Sequence, residues 1–296
     1  MARDIKTIAV IGGGLMGGGI AQVAIMGGLN VVLNDISMEF AEKSKAGIVR
    51  WLDKDVSKGR ISADVRDAAI ARLTLSANLA DVKDVDLVIE AIPENLELKK
   101  NLFAQLSDLC AEDIVLATNT SAISISAIAA AVKNPERVCG MHFVSPVPLM
   151  PLMELVKSIT TSEETVATAK KVAEQMGKSV IIAKESPGFI INRMLNTMLN
   201  QAATLVELGI GSIEDVDAAM RVGLNHPMGP LEIMDLAGVN VTLAALTAMY
   251  EESHDPAFSP SMLIRRMVNL GWTGRKTGKG FYIYHADGTK TPNPDL

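Results

Sequence analysis

His142 lies in "GMHFVSPVPLMPLMELV" (140–156), at the end of a short apolar run and just ahead of a proline-broken loop, and Glu154 follows it by twelve residues. An imidazole held by a carboxylate through one ring nitrogen is a general base. It titrates near neutrality, so it can accept a proton and return it. The same pair is also the usual composition of a buried structural ion pair, and spacing alone leaves both readings open. If the apolar runs on either side of the loop are strands that pair, the two side chains become neighbours.

A second cluster near the start points to phosphate chemistry. "GGGLMGG" (12–18) places Gly12, Gly14 and Gly17 in a G-x-G-x-x-G frame, directly after an apolar run and opening a helical one. The first glycine would make a tight turn, the second would let a pyrophosphate approach the backbone, and the third would pack helix on strand. Phosphates would then lie on the helix N-terminus, where free N–H groups and the dipole favour anions. Leu15 and Met16, between the second and third glycines, belong to the same candidate cofactor surface. Asp35 ends the next apolar run, eighteen residues after Gly17. A carboxylate there can bond both ribose hydroxyls and would repel a 2′-phosphate, so NAD is expected rather than NADP. The alternative is a glycine-packed helix with a capping aspartate.

The elements that must position these groups follow from periodicity. "TIAVIG" (7–12), "NVVLND" (30–35), "DLVIEAIPE" (86–94) and "DIVLATNTS" (113–121) read as buried strands. "RVCGMHF" (137–143), "LMELV" (152–156) and "SVIIA" (179–183) continue the series. Helices are expected over 15–26, 37–59 (long and exposed), 96–109, about 124–132, and 163–176. This alternation predicts an α/β fold, a Rossmann-type, mostly parallel sheet covered on both faces. After Lys184–Pro187 the periodicity is helical, over 190–208, 213–222, 230–252 and 260–270, with "GFYIY" (280–284) the one extended piece. Two domains are therefore expected: 1–184 binding NAD, and 185–296 helical, for substrate and dimerisation.

Composition removes other classes. The 296 residues suit one large or two ordinary domains, and 48% apolar with 21% charged residues suits a soluble globular chain. A net charge of −6 argues against a dedicated nucleic-acid partner. Cys110 and Cys139 have neither metal-ligand spacing nor a disulfide framework, and the four histidines are scattered, so no metal is expected and a reducing cytoplasm is the default. The uncharged stretch between Lys6 and Asp35 resembles a signal peptide or membrane span. Gly12, Gly13, Gly14, Gly17, Gly18 and Gly19 interrupt it and Asp4 sits in its basic head, which argues against both.

At nearly full length the chain resembles the NAD-dependent L-3-hydroxyacyl-CoA dehydrogenases, most closely the short bacterial type acting on 3-hydroxybutyryl-CoA. The resemblance rests on "IGGGLMGGGIA" (11–21), "VIEAIPENLELKKNLF" (88–103), "TNTSAISI" (118–125), "GMHF" (140–143), "SPGFIINRML" (186–195), "NHPMGPLEIMD" (225–235) and "GWTGRKTGKGFYIY" (271–284). It implies that His142 takes the proton of the 3-hydroxyl while hydride moves to nicotinamide, with Glu154 fixing the ring. It further implies that Ser121 bonds the substrate hydroxyl or thioester oxygen, and that Asn192 holds the substrate carbonyl. Glu94, Lys99, Ser145 and Lys276 would contact the cofactor, and Lys54 and Lys58 the phosphates of coenzyme A. Read singly, Ser121 is an ordinary helix N-cap, Asn192 a polar residue on an exposed helix face, and each lysine a solvated charge.

The chain departs from the family text at two places beside the base. Ser145 stands where the family has asparagine, and Pro151 where it has lysine, removing an amide, a charge and a backbone N–H. Trp51 stands where a small polar residue is usual. Two alternatives follow: a dehydrogenase of a non-CoA hydroxy acid or sugar acid, and an NAD-binding structural protein without turnover. The intact His142–Glu154 pair and Ser121 weigh against the second. A homodimer through the apolar helices near 190–208 and 230–250, and a stand-alone dehydrogenase with no hydratase segment, are expected.

Overall fold

The computed structural model describes residues 5–296, so the readings that rest on Asp4 and the basic start fall outside the described residues. The chain divides into two compact units, one ending at Ser186 and one spanning Pro187–Leu296.

In the first unit, short runs of apolar, often β-branched residues form strands and amphipathic segments cover them. The order is β1 (Thr7–Ile11), α1 (Leu15–Met26), β2 (Asn30–Asn34), α2 (Met38–Ser57), α3 (Ala63–Ile70), β3 (Leu73–Ser76), β4 (Leu87–Glu90), α4 (Leu96–Leu109) and β5 (Val115–Thr118). It continues with α5 (Ile125–Ala129), β6 (Val138–Phe143), β7 (Leu152–Lys157), α6 (Glu163–Gln175) and β8 (Ser179–Lys184). The strands make one sheet in the order β3-β2-β1-β4-β5-β6-β7-β8. β4 and β5 are buried throughout, as expected for strands covered on both faces. The core joins Ile8, Val10, Ile20, Leu33, Ile89 and Phe143 with other buried apolar residues.

Two local outcomes differ from the periodicity reading. The helix expected over 37–59 is half-sunk rather than exposed, because Ala41, Ser44, Ile48 and Leu52 fall on one face and are buried. Its start is set by Ser37, whose hydroxyl accepts from the Phe40 N–H at 3.4 Å. Between it and β4 the structure adds α3 and the edge strand β3, whose "LTLS" is too short and too polar to stand out. The pair β6–β7 is antiparallel, while β7–β8 returns to parallel. A loop of residues 144–151 is too short for a crossover helix, so only an antiparallel return is available.

The second unit holds α7 (Ile191–Glu207), α8 (Ile213–Gly223), α9 (Pro230–Ala237), α10 (Val239–Ser253) and α11 (Met262–Asn269), then β9 (Tyr282–Tyr284) paired with β10 (Lys290–Pro292). The single helix expected over 230–252 is two, bent by 97°. Gly238 sits between them at φ +107°, a conformation open to glycine and costly for other residues. "GFYIY" is not the only extended piece, because β10 pairs with it.

Two buried aspartates fasten this unit. Asp217 accepts the first N–H groups of α9, from Leu231 at 2.7 Å and Glu232 at 3.1 Å, and the Tyr282 hydroxyl at 2.7 Å. Asp235 accepts the backbone N–H groups of Phe281 and Tyr282 at 2.9 Å each, and the Tyr284 hydroxyl at 3.1 Å. Burial nevertheless pushes the Asp235 carboxyl up to about 6, against the opposing effect of those donors. Among the described residues no single helix is long and apolar enough to cross a membrane.

Candidate active site

The carboxyl ends of β1, β2, β4 and β5 carry most of the candidate groups. β1 lies between β2 and β4, so the chain leaves its two sides in opposite directions. In open α/β sheets the crevice at such a switch point is where ligands bind.

Gly12 follows β1 at φ +98°, and a β-carbon there would meet the carbonyl oxygen of Ala91 at 2.6 Å. A β-carbon on Gly17 would lie 1.7 Å from the Gly12 carbonyl oxygen, so α1 can close on β1 only without one. Gly14 caps α1 with no side-chain acceptor, and a β-carbon added to it would meet nothing within 4 Å. The three glycines thus behave as turn, open cradle and packing contact. The N–H groups of the first turn, through Leu15 and Met16, have no partner within the helix, which suits a pyrophosphate. Asp35 is fixed at the same place: its Oδ2 accepts from the Gly13 N–H at 2.6 Å and its Oδ1 from the Ile36 N–H at 2.7 Å. A carboxylate has about four acceptor positions, which leaves it capacity for ribose hydroxyls. These residues fit a dinucleotide without a 2′-phosphate.

The candidate base and its carboxylate come from the antiparallel pair. His142 on β6 is the register partner of Glu154 on β7, so both side chains project from the same face. His142 Nδ1 lies 2.7 Å from Glu154 Oε2, with the glutamate side chain fully buried and the histidine nearly so. A carboxylate only accepts, so Nδ1 carries the proton and Nε2 of the neutral ring is the basic nitrogen. The amide of the next residue, Phe143, donates to Asn119 Oδ1 at 2.9 Å, tying the base strand to the β5 end.

A buried chain of charges leads to Ser121. Lys99 is 1% exposed, which corrects the ordinary reading of a lone lysine as a solvated charge. Its ammonium lies 2.5 Å from Glu90 Oε1 and 3.3 Å from Glu94 Oε2. Glu90 also accepts the Ile92 N–H at 2.7 Å and the Thr118 hydroxyl at 2.6 Å. Glu94, partly exposed, accepts the Thr120 hydroxyl at 2.5 Å and the Ser121 N–H at 3.2 Å. The helix after Ser121 is capped by Ser124, which accepts from the Ala127 N–H at 3.1 Å, so Ser121 is not that cap. Glu90, Thr118, Thr120 and Asn119 were not among the expected site residues. A charge closing the apolar run "LVIE" was the available signal for Glu90.

Ser145 is exposed in the 144–151 loop, and Lys54 and Lys58 are exposed at the C-terminal end of α2. In the second unit Asn192 lies in the first turn of α7, half-buried, with its carbonyl accepting from Asn196 Nδ2 at 2.9 Å. Lys276 is exposed in the turn Arg275–Thr277.

A glycine cradle at a sheet switch point, an acidic residue at the β2 end, and a carboxylate-held histidine on a neighbouring strand define an NAD-linked dehydrogenase. Comparison with known proteins gives the family. Residues 7–186 match the family model described as 3-hydroxyacyl-CoA dehydrogenase, NAD binding domain, and residues 188–284 match the C-terminal domain of the same family. The chain belongs to the 3-hydroxyacyl-CoA dehydrogenase family. It is 40% identical to the 3-hydroxybutyryl-CoA dehydrogenase of Bradyrhizobium diazoefficiens, covering 96% of this chain and 97% of that one. It is also 40% identical to the 3-hydroxyadipyl-CoA dehydrogenase of Escherichia coli K12, covering 97% of this chain and 61% of that one. Among solved structures, the (S)-3-hydroxybutyryl-CoA dehydrogenase PaaH1 from Ralstonia eutropha superposes with a TM-score of 0.93 at 41% identity, covering 95% of this chain and 100% of that one.

Proposed function

We propose that this enzyme catalyses the reversible NAD-dependent oxidation of short-chain L-3-hydroxyacyl-CoA, with 3-hydroxybutyryl-CoA as its substrate, to the 3-oxoacyl-CoA. The observation that supports this reading best is the His142–Glu154 pair, 2.7 Å apart and in register on two strands of the NAD-binding unit. When bound, NAD supplies the acceptor for the hydride that leaves C3. His142 Nε2 takes the proton of the 3-hydroxyl as the carbonyl forms, and Glu154 stabilises the imidazolium through the Nδ1–H bond. In the reverse direction the same nitrogen returns the proton.

Gly12, Gly14, Leu15, Met16 and Gly17 hold the pyrophosphate, and Asp35 holds the adenosine ribose. Glu94 and Ser145 contact the cofactor, and Lys99 acts through Glu94 rather than by direct contact. Ser121 binds a substrate oxygen. Lys54 and Lys58 form the cationic patch for coenzyme A phosphates, which an acidic chain needs locally. The exposed apolar side chains of the second unit, including Leu208, Ile210, Val222 and Leu224, fit burial in a homodimer, and the enzyme works in the cytoplasm.

Steady-state NADH formation with L-3-hydroxybutyryl-CoA and L-3-hydroxyadipyl-CoA tests the substrate. The short neutral acyl chain is expected to give the higher kcat/KM. Preference for the longer acid would overturn the short-chain reading, and equal rates with free 3-hydroxybutyrate would overturn the coenzyme A assignment.

A further inference from the structure

The loop of residues 144–151 joins the strand of the base to the strand of its carboxylate, and it holds the two departures from the family text beside the base, Ser145 and Pro151. Its inner side is seated on α1. Val147 is 2% exposed and in the core, and a β-carbon on Gly19 would lie 2.9 Å from the Val147 Cβ. Its other side has little support, because Pro148 borders a cleft of about 330 Å³ also lined by Met26, Leu52 and Gln175.

Lys178, just before β8, reaches into this loop. It is 7% exposed, and its ammonium donates to the carbonyl of Val147 at 2.5 Å and to that of Met150 at 2.8 Å. Among the described residues no carboxylate pairs with it, and burial lowers its proton affinity below the ordinary lysine range. A buried ammonium without a counter-charge is costly. Neutral donors could satisfy two carbonyls at less cost. Local rules are broken in this way mainly where a site needs the geometry.

We propose that Lys178 is a positioning residue for the cofactor. Its ammonium, bound to the Val147 and Met150 carbonyls, holds the 144–151 loop in the shape that presents Ser145 to NAD. The proposal rests on the reading of this site as the dehydrogenase centre. It adds a residue that belongs to none of the motifs that carry that reading. The His142–Glu154 geometry is maintained by the strand ladder, so Lys178 acts on cofactor binding and not on the proton transfer.

The test is Lys178→Met, which keeps most of the unbranched apolar stem of the side chain and removes its charge and donors. Losing two charge-assisted bonds to the loop is expected to weaken NADH binding, followed by fluorescence titration, by about tenfold. KM for NAD should rise by a similar factor while kcat changes by less than about threefold. In the ligand-free protein the amides of Leu149 and Met150, which donate to the Pro146 carbonyl at 2.9 and 3.1 Å, should exchange with solvent at least about tenfold faster. A variant that melts earlier but binds NADH with wild-type affinity would overturn the proposal. If Lys178→Met does not fold, Val147→Ala loosens the same loop from α1 and is read in the same way, with unchanged NADH affinity the overturning result. His142→Gln serves as the discriminating control. It should bind NADH normally and turn over poorly, and normal turnover there would count against the base reading while leaving the binding result on Lys178 intact.

Discussion

Replacing Glu154 by Gln perturbs the proton path with little change in shape. In the proposed mechanism the carboxylate, 2.7 Å from Nδ1, has two roles: it fixes the tautomer, and it stabilises the positive ring that forms as the substrate proton arrives. A hydrogen bond to a charged partner contributes about 1.5–3 kcal/mol, and a neutral amide forfeits most of that in the transition state, a fall of about 10- to 100-fold in kcat. The amide also has two faces. With its oxygen toward Nδ1 the tautomer is kept and the loss stops there. With its NH2 toward Nδ1 the proton moves to Nε2, the base is lost, and the fall approaches about 10⁴-fold, as when a triad aspartate is replaced by asparagine. Glu154→Ala forces no tautomer and should lie at the smaller end. The assay is steady-state NADH formation at saturating substrate, with circular dichroism to establish folding and NADH titration to establish cofactor affinity. Both Glu154 variants turning over within about threefold of wild type, while folded, would refute the reasoning.

Two further outcomes follow. Gly17→Ala places a methyl 1.7 Å from the Gly12 carbonyl oxygen, backbone that cannot rotate away. It should destabilise the first unit by about 1–3 kcal/mol and abolish measurable NADH binding, read by denaturant titration and fluorescence. Asp235→Asn should show a pH-dependent stability difference of a particular sign. The wild-type carboxyl is pushed up to about 6 in the fold from an ordinary value of 3.8. Its contribution is therefore fully present below about pH 4 and is lost as pH rises through about 6. The asparagine does not titrate, so the stability deficit of the variant, from urea denaturation at several pH values, should shrink between pH 4 and pH 7. A deficit that grows with pH would contradict the burial argument.

Much of the site was legible because its parts are local. "IGGGLMGG" names its own turn, cradle and packing contact, and Asp35 is placed by the length of one β-α-β unit. The His142–Glu154 pairing was legible only as a condition, since it depends on two strands meeting, and the register supplies that condition residue for residue. The burial of Lys99 and the clamp by Lys178 were not legible. Both depend on which way a long side chain turns in three dimensions, and in sequence each looks like a surface charge. The fold shows the same division. Long apolar runs such as those of β1, β4 and β5 announce themselves. "LTLS" at the sheet edge and "KTP" of β10 are short and half-polar and take their conformation from the neighbours they pair with. The break at Gly238 was hidden because the apolar periodicity continues through it, although the glycine itself was the available signal.

The most direct test of the account is the kcat of His142→Gln with NAD and L-3-hydroxybutyryl-CoA, measured on protein shown to be folded and to bind NADH as the wild type does. Loss of the general base is expected to lower kcat by about 10² or more. Turnover within severalfold of wild type would contradict the account.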